Sequence, residues 1–216
     1  MDLIQDFFRT LYNVPELIRL VGLFGIIFIV FAETGLMVGF FLPGDSLLVT
    51  AGLFAARGDL PIGWMIPSLM LAAILGNATG YFIGHKAGAA LYSRPNSLLF
   101  RREHLIRTHE FYERHGGKTI IIAQFMPIVR TFAPVVAGAA QMTYRRFAAF
   151  NMIGAILWIN SMTLTGYFLG RAVPEIESRI HIVVAIVIFL SLLPGIIAWV
   201  RSRLKARASS AVGETD

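Results

Sequence analysis

Three ionisable side chains lie inside stretches that are otherwise free of charge. Glu33 and Asp45, twelve residues apart, are the charged residues between Leu20 and Ala56, and Arg130 is the one between Thr119 and Ala140. A carboxylate or guanidinium at bilayer depth costs about 2.5–3.5 kcal/mol on insertion scales, so such groups pair with one another or line a wet cavity. As a pair they would be a fixed internal salt bridge; lining a cavity, they would handle an ion. Arginine has the fork geometry for a phosphate, and helix ends exposed at a chain reversal add backbone N–H donors to hold it. The carboxylates could carry protons. Gln124, six residues before Arg130, offers an amide that can hydrogen-bond a headgroup but supplies no charge.

These residues need elements that reverse inside an apolar layer. Pro127 and Pro134 flank Arg130, and Pro43 and Gly44 precede Asp45; both sets interrupt a helix and are the expected hairpin tips. Five apolar stretches run over residues 20–56, 62–92, 119–140, 147–170 and 180–200. Each is near or above the roughly 20 residues a helix needs to cross about 30 Å of hydrocarbon. With 56% hydrophobic residues, 15% charged and a mean hydropathy of +0.68, the 216-residue chain cannot cover itself with polar surface. Lipid is the expected solvent, and one membrane domain of residues 1–216 the expected organisation.

The net charge of +6 does not point to nucleic acid, because the basic residues flank apolar stretches. Arg94, Arg101, Arg102, Arg107, Arg114 and Lys118 fill the central loop, and Arg201, Arg203, Lys205 and Arg207 follow the last apolar stretch. Both blocks are expected in the cytoplasm. Three apolar stretches between two cytoplasmic blocks cannot all cross. Residues 119–140, with their two prolines, are the segment expected to re-enter and return. The start of the chain lacks the basic region and small-residue cleavage site of a signal peptide. Cysteine is absent, which removes disulfides and thiol chemistry.

An internal repeat supports paired hairpins. Thr79 to His85 (TGYFIGH) matches Thr165 to Arg171 (TGYFLGR), Ala51-Gly52 precedes the first as Ala137-Gly138 precedes the second, and Phe41-Leu42-Pro43 echoes Phe125-Met126-Pro127. The expected architecture is all-α. It has two inverted repeats over residues 20–92 and 119–171, each a re-entrant hairpin plus a crossing helix. An amphipathic linker at 93–118, a C-terminal helix at 180–200 and a basic tail at 201–216 complete it. A first segment that crosses in full from a cytoplasmic N-terminus is the alternative.

Gly76, Gly80, Gly84 and Gly88 recur every fourth residue, a small-residue stripe that lets another helix approach closely. Asn77 and Asn160 are expected to hydrogen-bond between helices, and His85 and Lys86 to meet headgroups. His104, His109 and His115 occur with acidic residues but without metal-binding spacing. That region reads as an amphipathic surface helix.

Glu33, the Phe41-Leu42-Pro43-Gly44-Asp45 turn, the block from Gly76 to Gly84 and the segment from Phe125 to Pro134 resemble the DedA family of bacterial inner-membrane proteins. That family is related to the eukaryotic VTT-domain lipid scramblases. The resemblance spans residues 20–170 and implies opposed re-entrant hairpins that move lipids. Undecaprenyl phosphate and phosphatidylethanolamine are the implied substrates, with proton coupling in some members. It further implies functional roles for Glu33, Asp45 and Arg130. Many members carry a second arginine where this chain has Gln124. The expectation is therefore a lipid flippase or scramblase, without enzymatic activity, metal or cofactor, whose partners are membrane lipids and protons. A proton-coupled exporter of a small ion or solute and a non-transporting scaffold are the rivals.

Overall fold

The structure is a computed structural model that describes residues 14–36, 43–92 and 117–172. The bulk of the expected amphipathic linker, the C-terminal helix, the basic tail and Phe41-Leu42 lie outside the described residues. Those residues form six helices and no strand: α1 (Val14–Gly35), α2 (Gly44–Arg57), α3 (Ile62–Tyr92), α4 (Lys118–Gln124), α5 (Pro127–Ala139) and α6 (Tyr144–Ala172). Three of them, α1, α3 and α6, are long and apolar enough to cross a membrane.

Sequence sets the breaks. Gly22 takes φ 58°, ψ −164° inside α1, a conformation that glycine alone adopts cheaply, and so kinks the helix near the start of its apolar run. Gly58, at φ 90°, closes α2, its N–H bonded to Ala55. Between α4 and α5 the helix breaks at Phe125 and Met126, and Pro127 opens α5 where its missing N–H is harmless. Pro134, expected at a hairpin tip, lies instead inside α5. A proline there forgoes one helical hydrogen bond without ending the helix, and its ring packs on α3 at Gly80, where a side chain would begin 3.4 Å from the proline Cβ.

Packing proceeds by close backbone approach. Helix α2 lies along α6, α5 along α3, and α1 against α3. At the α3–α5 contact Gly84 faces the Val135 carbonyl and Gly138 faces Tyr81 and His85 of α3; at the α2–α6 contact Gly166 faces the Val49 carbonyl and Gly52 faces Thr163 and Tyr167. In each case a Cβ would overlap backbone, which is how small residues bring membrane helices together. The stripe on α3 serves two neighbours. Gly76 meets Phe31 and Thr34 of α1, whereas Gly84 and Gly88 meet Val135 and Ala139 of α5.

The outer surface is apolar. Leu20, Phe24 and Phe28 follow one another at helical spacing on α1 and are 67–87% exposed; Trp64, Leu71 and Leu75 on α3 and Met152, Ile153 and Phe168 on α6 are exposed likewise. A water-facing surface would not carry so continuous an apolar face.

Candidate functional site

Four helix ends converge on one buried ion cluster. Glu33 is two residues from the end of α1, Asp45 is the second residue of α2, Gln124 is the last of α4 and Arg130 is the fourth of α5. Arg130 Nη2 donates to Glu33 Oε1 at 2.5 Å and Nη1 donates to Asp45 Oδ1 at 2.7 Å. Glu33 and Arg130 are 2% exposed and Asp45 7%, so these three groups pair with one another away from bulk solvent. Nη1 also donates to the Gln124 carbonyl at 3.2 Å. A cation thus meets the carbonyl end of α4, and carboxylates meet the N–H end of α2, the arrangement that helix dipoles favour.

The glycine at the start of α2 makes the first carboxylate fit. A Cβ on Gly44 would overlap the Glu33 carboxylate group. Glu33 therefore sits against bare backbone. The first helical bond of α2 runs from the Leu47 N–H to the Pro43 carbonyl, which leaves the N–H groups of the preceding turn outside the helical ladder.

Trp158 of α6 completes the cluster. Its ring centroid lies 4.0 Å from Arg130 Cζ, a cation–π contact, and its Nε1–H donates to Asp45 Oδ1 at 2.8 Å. Asp45 Oδ1 therefore accepts from α5 and α6 together. Trp158 was not singled out from the sequence, because a tryptophan in an apolar helix reads as core or lipid contact. Its signal is the indole N–H, which needs an acceptor when buried.

Gln124 is buried with its side chain turned away from Arg130. The Cγ lies where a Cβ on Gly154 would come within 2.8 Å, and Nε2 is 3.4 Å from Asn151 Oδ1. Asn77 Nδ2 donates to the same Asn151 oxygen at 2.7 Å, and Asn151 Nδ2 donates to the Ile74 carbonyl at 3.2 Å. Asn77 thus bonds between helices. Asn160 does not: its Nδ2 returns to the Ile156 carbonyl of its own helix at 2.7 Å, because residue 160 faces away from the bundle. Asn151, which joins Asn77 to Gln124, went unnoticed in the sequence.

Among the described residues, Glu33 Oε2, Asp45 Oδ2 and Arg130 Nε are buried without a hydrogen-bond partner. With all three groups ionised the cluster carries one negative charge more than it balances. It can therefore take up a proton or a cation, and it presents one free donor edge to an anion. A separate groove of about 750 Å³ runs along the outer side of α6 past Leu157, Asn160 and Phe168. Its polar members Asn160, Ser161 and Thr165 each donate to a carbonyl of their own helix, so it offers a ligand little beyond apolar contact.

Residues 42–168 match the VTT domain. Protein DedA of Escherichia coli strain K12 is 47% identical over 219 residues, covering 97% of this chain and all of that protein. The chain belongs to the DedA family of membrane proteins. An uncharacterized membrane protein of Mycobacterium leprae is 42% identical over 84% of this chain and 81% of its own length. Inner membrane protein YqjA of Escherichia coli is 34% identical over 77% of this chain and 74% of its own length. No solved structure matches. The domain match contains Asp45, Gln124, Arg130 and Trp158, while Glu33 lies ahead of it.

Proposed function

We propose that this DedA-family protein is a lipid transporter of the bacterial inner membrane, a flippase or scramblase that moves a phosphate-bearing lipid between leaflets. The observation that carries the reading is Arg130, buried between two carboxylates where helix ends meet. A static strut gains little from such an arrangement, since a well-packed apolar replacement of similar volume is often as stable. A transported phosphate gains a fork-shaped cation with built-in competitors. On this reading the phosphate takes the guanidinium as Glu33 and Asp45 let go, and protons on the carboxylates ease the exchange.

The same reading treats the helices as two inverted units, each a re-entrant hairpin with a crossing helix. Lengths support it. Beyond the Gly22 kink α1 has 13 residues, α5 has 13 and α4 has seven; at 1.5 Å per residue these reach about 20, 20 and 10 Å, short of the hydrocarbon layer. Contacts support it too, since the second arm of each hairpin packs on the crossing helix of the other unit. The equivalence runs one turn off the sequence match. Gly166 faces Val49 and Gly84 faces Val135, so packing pairs Gly84, not Gly80, with Gly166. The arginine-rich central loop and tail support a cytoplasmic C-terminus on this scheme.

A second reading, a proton-coupled exporter of a small ion or solute, draws on the unbalanced negative charge of the cluster. Leaflet exchange separates the two. Purified protein in liposomes with acyl-labelled lipids should accelerate exchange, and Arg130→Lys, which keeps the charge but loses the fork, should lose most of that activity while still inserting. Equal exchange by wild type and Arg130→Ala at equal reconstituted amounts would remove the role given to Arg130. Proton flux that depends on an added solute, without lipid exchange, would favour the exporter.

A further inference from the structure

We infer that the buried amides of Asn77, Gln124 and Asn151 form a binding site for a dehydrated alkali cation, beside the cluster of Glu33, Asp45 and Arg130 but distinct from it. The inference is independent of the transport reading and holds whichever substrate moves.

It starts from the direction in which each amide faces. Asn151 Nδ2 donates to the Ile74 carbonyl, which turns Asn151 Oδ1 toward Asn77 and Gln124. That oxygen can only accept, so both neighbours present N–H groups to it: Asn77 Nδ2 lies at 2.7 Å and Gln124 Nε2 at 3.4 Å. The atoms left over are then fixed in kind. They are two amide oxygens, Asn77 Oδ1 and Gln124 Oε1, without a hydrogen-bond partner among the described residues and on side chains of residues 0% and 3% exposed. Flipping Asn77 or Gln124 alone would set oxygen against the Asn151 oxygen, and flipping Asn151 would set its oxygen against the Ile74 carbonyl. Whatever completes these amides must therefore bring positive charge or a donor, since buried acceptors need one or the other.

Charge favours a cation. With all three groups ionised, Glu33 and Asp45 outnumber Arg130 by one, and both terminal nitrogens of Arg130 are already engaged by those carboxylates. Gln124 spans the distance between the two groups. Its carbonyl accepts from Arg130 Nη1 at 3.2 Å while its side chain reaches Asn151, so uncommitted neutral oxygens stand next to a surplus of negative charge. Gln124 is also the last residue of α4, and the carbonyl ends of helices that stop inside a membrane coordinate sodium in transporters. Neutral oxygens of this kind replace the hydration shell of a hard monovalent ion, whereas a transition metal takes imidazole or thiolate.

The test is thermal unfolding of the purified full-length protein in detergent, in lithium, sodium, potassium and choline chlorides at equal ionic strength. At ten times the dissociation constant an alkali ion should raise the midpoint by about 3–6 °C over choline, and the shift should saturate. Gln124→Met, which removes one of the two oxygens and a single long contact, should lose most of that shift while the midpoint in choline is kept. Gln124→Glu places a charged oxygen at the same position and should lower the half-saturating concentration about tenfold, whereas Glu33→Gln, which cancels the surplus charge and leaves every amide in place, should raise it by a similar factor. Equal midpoints in all four salts would overturn the site and give the two oxygens to water. A saturable shift that survives undiminished in both Gln124→Met and Asn77→Leu would overturn its location and give the cation to the carboxylates.

Discussion

Trp158 lies face-on to Arg130, with 4.0 Å from the indole centroid to the guanidinium carbon, while its N–H is held by the carboxylate that Arg130 also holds. One side chain of α6 thus fixes both the plane of the cation and the position of its partner. Trp158→Phe keeps a ring over Arg130 and removes the hydrogen bond to Asp45. It should leave the fold intact and cut lipid exchange severalfold. Trp158→Ala empties a fully buried site and should cost about 3–5 kcal/mol of stability. Thermal unfolding in detergent, measured beside exchange, checks both; unchanged exchange in Trp158→Phe would show that the hydrogen bond is incidental.

Gly44→Ala should act on Glu33 at a distance in sequence. The new methyl would occupy the place of the carboxylate, so Glu33 must withdraw from Arg130. Exchange should fall about tenfold or more with protein levels maintained, since each 1.4 kcal/mol of lost interaction is a factor of ten. Adding Glu33→Asp, one methylene shorter, should restore part of the activity. Rescue by the double variant is the readout that a general folding defect would not give.

Helix contact is tested at glycines with different surroundings. Gly84→Ala sets a methyl against the Val135 carbonyl of α5, whereas Gly63 has nothing within 4 Å of its would-be side chain. Gly84→Ala should destabilise by about 1–3 kcal/mol through overpacking. Gly63→Ala should be neutral or stabilise by about 0.5–1 kcal/mol. Midpoints of thermal unfolding in the same detergent decide; equal values would mean that α3 and α5 do not pack through this face.

The chain has no cysteine, which suits a topology test. Ser93→Cys and Thr143→Cys, on either side of the segment proposed to re-enter, should react with an impermeant maleimide from the cytoplasmic side. Gly63→Cys should react from the opposite side. Labelling of positions 93 and 143 from different faces would rule out a re-entrant segment between them.

The cluster was legible in the sequence because burying charge is expensive, so Glu33, Asp45 and Arg130 in apolar runs had few neighbours to choose but each other. The helix-and-break pattern was legible for a similar reason, as Pro127 and Pro43 leave few conformations open. Pro134 misled because a helix inside an apolar bundle can run through a proline at the loss of one hydrogen bond, and nothing local announces that. The inward turn of Gln124 toward Asn151, and the outward turn of Asn160, depend on helix rotation. An amide looks the same on either face. Trp158 was hidden for the same reason, since its role comes from what α2 and α5 bring to it.

Asp45 Oδ1 accepts from Arg130 Nη1 and from Trp158 Nε1 at once, so α2, α5 and α6 are clasped at a single atom. A clasp of this kind opens as a unit. A proton or cation that took that oxygen would compete with the arginine and the indole together. A change at the start of α2 would thus reach the long helix α6 without any intermediary chain of contacts.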